Sequence, residues 1–261
     1  MSLYRKLASE TAIYGLSSVA GRLLNYLLVP LYTAFFQPAE YGIVTELYAF
    51  VAFLNILYVY GMETAFFRFS SAASNQYFST AVFSILFSSL FFSGFLFALS
   101  DTLAALMSYS GKGHFIRWLA IILMLDAIVA IPFARLRQLG KAKRFALLRL
   151  LNIAINIGCN LFFIVFCPWL LQNSGQGVVL DYIYDPSIGV GYVFLSNLIA
   201  NGCYLPLMLK EWREVQFKWK KKEFKEMFAY AWPVLIIGFA GITNEMLSRV
   251  LLKYRLHEGF Y

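Results

Sequence analysis

The sequence predicts an all-α bundle of membrane-spanning helices, and three observations predict it. Of 261 residues, 60% are hydrophobic and only 14% charged, whereas soluble domains hold about 45–50% apolar residues. Long apolar runs recur along the whole chain, each near the length of about 20 residues that carries a helix across hydrocarbon. Basic residues gather in alternate connections between those runs. Strict apolar/polar alternation is absent and the runs are too long for barrel strands, so helices are the expected spanning elements.

Taken in order, the expected spans are 11–35, 43–62, 78–100, 115–134, 150–171, 188–209 and 228–252. The first is too long for a signal peptide and is interrupted by Arg22, so it reads as a retained span. Turn signals separate the runs: Gln37-Pro38, Ser74-Asn75, Gly111-Lys112-Gly113, Asn173-Ser174-Gly175 and Asp185-Pro186. Arg5 and Lys6 precede the first span, and Arg68 follows the second. Arg135, Arg137, Lys141, Lys143, Arg144 and Arg149 surround the gap between the fourth and fifth. Lys210, Arg213, Lys218, Lys220, Lys221, Lys222 and Lys225 fill the gap before the seventh. The other connections are poor in base. The positive-inside rule then places the N-terminus in the cytoplasm. The expected organisation is a six-helix lobe at 1–209, a basic amphipathic cytoplasmic linker at 210–227, and the first helix of a second lobe at 228–261. The linker, with Trp212, Val215, Trp219 and Phe224 among its lysines, is expected to lie as an interfacial helix on anionic lipid. Nucleic acid is not an expected partner, because spans flank the linker on both sides.

Polar groups at membrane depth are costly and mark functional positions. Arg22 and Asn25 lie in the first span, Glu46 in the second, Asp126 in the fourth, and Glu245 and Arg249 in the seventh. Glu245 and Arg249 share a helix face at i,i+4, which suits an ion pair as well as a cavity wall. Arg22 has no partner in its own span and is expected to face a cavity or a cross-helix acid such as Asp126. The fifth span carries Asn152, Asn156 and Asn160 on one face, and the sixth carries Asn197 and Asn201. These asparagines serve either as glue between helices or as the wall of a wet cavity suited to sugar hydroxyls.

Several chemistries are not signalled. No Gly-rich loop ending in Lys-Ser/Thr is present, and the two histidines, His114 and His257, have no metal-ligand spacing. No cofactor is expected. Cys159, Cys167 and Cys203 read as small buried residues. Asp181 and Asp185 are the one acid pair in an outer loop. They read as a solvated turn or, for a membrane glycosyltransferase or polymerase, as a catalytic pair.

The stretch Ala12–Phe69, with AIYGLSS (12–18), LLVPLYTAFF (27–36), QPAEYGIV (37–44) and YGMETAFFRF (60–69), resembles the start of the oligosaccharide flippases. These Wzx-type polysaccharide transporters belong to the multidrug/oligosaccharidyl-lipid/polysaccharide exporter superfamily. The resemblance implies two six-helix lobes around a central cavity, alternating access, a lipid-linked oligosaccharide as substrate, and a bacterial inner membrane. Shifting by 220 residues overlays Gly21 on Gly241 and Tyr41 on Tyr261, as a parallel repeat would. Members have about twelve to fourteen spans, so this chain is expected to be an N-terminal half, assembling as a homodimer if that length is natural. Under this reading Arg22 attracts the diphosphate and the asparagine faces meet the sugars. The alternatives are a multidrug exporter coupled to H+ or Na+ through Asp126 or Glu46, and a non-transporting fragment.

Overall fold

The computed structural model describes residues 14–15, 19–20, 23–24, 26–70, 76–109, 111–174 and 183–255, with the side chains of 76, 174 and 244–255 left out. No strand occurs among the described residues. Five helical stretches there are long and apolar enough to cross a membrane: Pro38–Phe69, Tyr77–Ala98, Gly113–Gln138, Ala142–Asn173 and Lys221–Thr243. The chain is an all-α, multi-pass membrane protein.

The helices are α1 (Leu28–Phe35), α2 (Pro38–Val59), α3 (Met62–Phe69), α4 (Gln76–Ala98), α5 (Ser100–Leu106), α6 (Gly113–Gln138), α7 (Ala142–Leu161), α8 (Cys167–Ser174), α9 (Gly191–Gly202), α10 (Tyr204–Leu207), α11 (Leu209–Trp212) and α12 (Lys221–Arg255). Their contacts divide the chain into two compact units, 1–41 with 140–207 and 42–139 with 208–261. This division differs from the expected lobe at 1–209, because α12 packs on α3 and α4.

In the second unit α6 is the central helix. Leu123, Ala127, Ile131 and Ala134 recur at helical spacing and are fully buried. They join one core with Tyr58, Met62, Phe66, Phe78, Ile85, Met227 and Ala231. Serines of α4 enter this apolar setting by bonding their own helix: Ser84 Oγ donates to the Thr80 carbonyl (2.6 Å) and Ser88 Oγ to that of Ser84 (3.0 Å). Ser93 instead reaches across to the Ala120 carbonyl at 2.8 Å, so Tyr58 Oη must be the donor in its 2.9 Å contact with Ser93 Oγ. This relay ties α2, α4 and α6 in a buried setting. Ser93→Ala should cost about 1–3 kcal/mol because it strands the Tyr58 hydroxyl. Tyr58→Phe should cost only about 1 kcal/mol, since Ser93 keeps its acceptor. Thermal unfolding of the two variants in detergent checks the order, and a costlier Tyr58→Phe would contradict the assigned donor.

Several boundaries correct the expected ones. The second run does not end at 62. It breaks at Tyr60 (φ 36°) and Gly61 (φ 71°), both left-handed, and resumes as α3. Gly61 permits this turn and also a close approach, since a Cβ there would sit 2.6 Å from the Ala231 carbonyl of α12.

The basic gap after α6 is short. Lys143, Arg144 and Arg149 lie on α7, which begins at Ala142. The sixth run is not one continuous helix but three consecutive pieces, α9 to α11, where Gly202 is a weak helix former and Pro206 lacks a donor. The linker is not an interfacial helix. Residues 213–220 are irregular, and Lys221 already opens α12. Serine and threonine hydroxyls of α4 hold this strand of chain: Ser79 Oγ accepts the Gln216 N–H (2.9 Å), and Thr80 Oγ1 donates to the buried Glu223 carboxylate (2.8 Å).

In the first unit α7 and α9 pack together. Between α7 and α8, Phe162–Phe166 forms a π-turn, with the Cys167 N–H bonded to the Phe162 carbonyl. The wider register accommodates Pro168, whose ring would otherwise meet the carbonyl one turn back.

Candidate functional site

The first unit gathers the asparagines. The i,i+4 spacing sets Asn152, Asn156 and Asn160 along one face of α7. Asn160 is fully buried and is the junction of the network. Its Oδ1 accepts a hydrogen bond from Tyr32 Oη of α1 at 2.9 Å. Its Nδ2 donates to the Asn156 carbonyl (2.8 Å) and to Asn156 Oδ1 (3.2 Å). Two turns earlier, Asn152 Nδ2 donates to Oδ1 of buried Asn201 on α9 at 3.1 Å. Asn197 is half-buried on the same helix. Thus α1, α7 and α9 are joined by a polar stripe within a helix apolar enough to span a membrane. Its Tyr32–Asn160 end is closed by protein–protein bonds, while half-buried Asn152, Asn156 and Asn197 retain accessible surface.

Beyond the stripe, Tyr184 stacks on Tyr192 (5.1 Å, 12°), which stacks on Phe163 (4.7 Å, 16°). The Tyr192 hydroxyl accepts the Asp185 N–H at 2.7 Å. The Asp185 carboxylate accepts the Ser187 N–H at 2.8 Å and opens the turn Pro186–Ile188. Hydrogen bonds from the Ser187 side chain and backbone hold this carboxyl below its ordinary range. Asp185 is therefore built as an ionised turn residue. Asp181 lies outside the described residues.

The second unit holds the charged candidates. Half-buried Glu46 on α2 accepts a hydrogen bond from Tyr109 Oη. Asp126 is half-buried on α6, within the helix most enclosed by protein. Glu63 of α3 pairs with Arg137 at the end of α6. Arg135, almost wholly buried, lies over the Phe78 ring, bonds Gln138 at 3.0 Å and faces Glu214 at 3.9 Å. These arginines anchor the end of α6; the sequence pattern marked them only as topology signals. Arg22 and Asn25 lie outside the described residues, as do the side chains of Glu245 and Arg249, whose backbone is helical in α12. The expected pairing of Arg22 with Asp126 therefore falls outside what is described. Among the described residues no His/Cys/Asp/Glu group is arranged to hold a metal ion.

A family model described as polysaccharide biosynthesis protein matches residues 7–259. The chain belongs to this family. No curated protein and no solved structure matches it. Membership, with the five long apolar helices, makes the chain in general terms a membrane transporter of polysaccharide biosynthesis.

Proposed function

We propose that the chain takes part in flipping a lipid-linked oligosaccharide across the bacterial inner membrane by alternating access, with its N-terminus in the cytoplasm. The observation that carries this reading is the Tyr32–Asn160–Asn156 and Asn152–Asn201 stripe in a member of the polysaccharide biosynthesis family. The headgroup of such a substrate cannot cross hydrocarbon unaided, because its polar groups lose water without compensation. Amide side chains both donate and accept, which matches sugar hydroxyls. The proposal assigns the accessible edges of Asn152, Asn156 and Asn197 to the sugar and Arg22 to the diphosphate, by charge. Glu46 is the acid it assigns to a coupling H+ or Na+.

The test is the accessibility of lipid-linked glycan to an outer-face reagent in cells lacking the gene. Loss of outer glycan, restored by the gene, supports the reading; unchanged crossing sinks it. In the same assay Asn152→Ala with Asn197→Ala should lower crossing several-fold while the protein stays in the membrane. Glu46→Gln keeps an acceptor for Tyr109 and removes the charge, so crossing should lose its dependence on the ion gradient. A gradient dependence equal to the parent's would remove Glu46 from the coupling role.

A further inference from the structure

A groove in the second unit is unrelated to the asparagine stripe. Its volume is about 430 Å³, within the range of about 300–1,000 Å³ usual for ligand sites. Its floor is Tyr60, Ser84 and Ser88, and its wall is a row of rings, Trp219, Phe224, Phe228 and Trp232. Successive ring centroids are 5.7, 5.5 and 6.3 Å apart. The i,i+4 spacing from Phe224 to Trp232 aligns three of these rings along α12.

The floor hydroxyls are spent within the protein. Ser84 and Ser88 donate to backbone carbonyls, Ser84 also accepts Trp219 Nε1–H at 3.1 Å, and Tyr60 pairs with Ser88. What faces the groove is therefore hydrocarbon and ring. Trp219, Phe228 and Trp232 remain exposed beside it, as does Phe87 on the α4 side, so the groove opens toward the lipid surroundings of α4 and α12.

Charge marks one end. Lys218 and Lys220 flank Trp219, and Lys221, Lys222 and Lys225 lie around Phe224 in the chain; all five are exposed, and Lys220 also pairs with Glu223 at 3.1 Å. From Phe224 to Trp232 the helix advances about 12 Å. That is close to one leaflet's share, about 15 Å, of the hydrocarbon core. An occupant should thus carry a negative headgroup at the lysines and one apolar chain along the rings.

We infer that this groove is a binding site for an anionic phospholipid of the bilayer, one acyl chain lying on the Trp219–Trp232 ring row and the phosphate held by the lysines at its mouth. A general attraction of lysines for an anionic surface would order no chain. The groove adds that order, and it fixes the irregular segment 213–220 and the start of α12 at the membrane face.

The test uses the full chain in nanodiscs, with Trp118, Trp169 and Trp212 changed to Phe so that Trp219 and Trp232 report. Phosphatidylglycerol brominated on its acyl chains is compared with brominated phosphatidylcholine at equal mole fraction. The site requires several-fold stronger quenching of both tryptophans by the phosphatidylglycerol. Lys218, Lys220, Lys221, Lys222 and Lys225 all changed to Gln should abolish the preference, and the same five changed to Arg should keep it. Ser88→Phe, which fills the groove and spares the lysines, should remove the phosphatidylglycerol preference at Trp232. Equal quenching by the two lipids overturns the proposal, as does a preference that survives the Gln variant. Quenching confined to Trp219 also overturns it, since the headgroup alone would then be bound. Should the Phe background or a variant not fold, native mass spectrometry of the parent chain against mixed lipids decides instead: retention of phosphatidylglycerol over phosphatidylcholine supports the site, and equal retention overturns it.

Discussion

Gly61→Ala should unfold the second unit at a markedly lower temperature than the parent, and Gly61→Val should fail to accumulate in the membrane. Two independent costs act at this position. The residue sits at φ 71°, where an L side chain costs about 1–2 kcal/mol. A Cβ there would also lie 2.6 Å from the Ala231 carbonyl and 3.0 Å from Val234 Cβ, both on α12. A backbone carbonyl cannot swing aside as a side chain can, so α12 must retreat, with an overpacking cost of about 1–3 kcal/mol. Retreat would spread, because Met227, Ala231 and Leu235 belong to the same core as Phe66 and Leu123. Gly238, whose Cβ would meet the Ile56 γ-methyl at 3.1 Å, gives a graded comparison: Gly238→Ala meets a side chain and not a backbone carbonyl, at a φ that L residues adopt, and should cost less than Gly61→Ala. Thermal unfolding of the detergent-solubilised variants reads both. A Gly61→Ala protein that melts with the parent would show that the left-handed break does not hold α12.

The fold class was legible because a bilayer leaves the backbone few options. Every N–H and C=O must be bonded within the segment, so a long apolar run is a helix. The same logic explains the misplaced boundaries. Hydropathy measures the thickness of hydrocarbon, while a helix ends where its hydrogen bonds end. Lys143, Arg144 and Arg149 look like a loop to hydropathy, yet their long side chains can leave the lipid while their backbone stays helical in α7. Likewise the lysines at 221, 222 and 225 belong to the first turns of α12. The break at Tyr60-Gly61 is a tertiary feature, dictated by how near α12 comes, and a single run of residues does not carry it.

Legibility of the polar candidates follows sequence distance. The asparagine face of α7 was readable because Asn152, Asn156 and Asn160 repeat at four residues. Tyr32, the partner of Asn160, was not, being 128 residues away in the chain. The partner of Glu46, Tyr109, lies 63 residues away and was missed for the same reason. By contrast, the ring row of Phe224, Phe228 and Trp232 repeats at four residues and was open to detection. Its first member, Phe224, stands among lysines, so the charge pattern of 218–225 hides the start of the row.

Asn160→Leu should lower stability by about 1–3 kcal/mol, because Tyr32 Oη loses Asn160 as its acceptor in a buried setting and the Asn156 carbonyl loses a donor. Interhelical bonds measured in membranes average about 0.6 kcal/mol, which sets the expected loss toward the lower end of that range. The loss alone would not separate glue from a transport role. The double variant Tyr32→Phe with Asn160→Leu does separate them. It replaces both partners by apolar groups of similar shape, so much of the lost stability should return while the polar stripe stays interrupted at its buried junction. If the stripe serves the passage of a glycan, export in the double variant stays several-fold below the parent even though melting has recovered. If export recovers together with melting, the Tyr32–Asn160 pair is only an interhelical fastener, and the asparagine face loses its place in the proposed transport path.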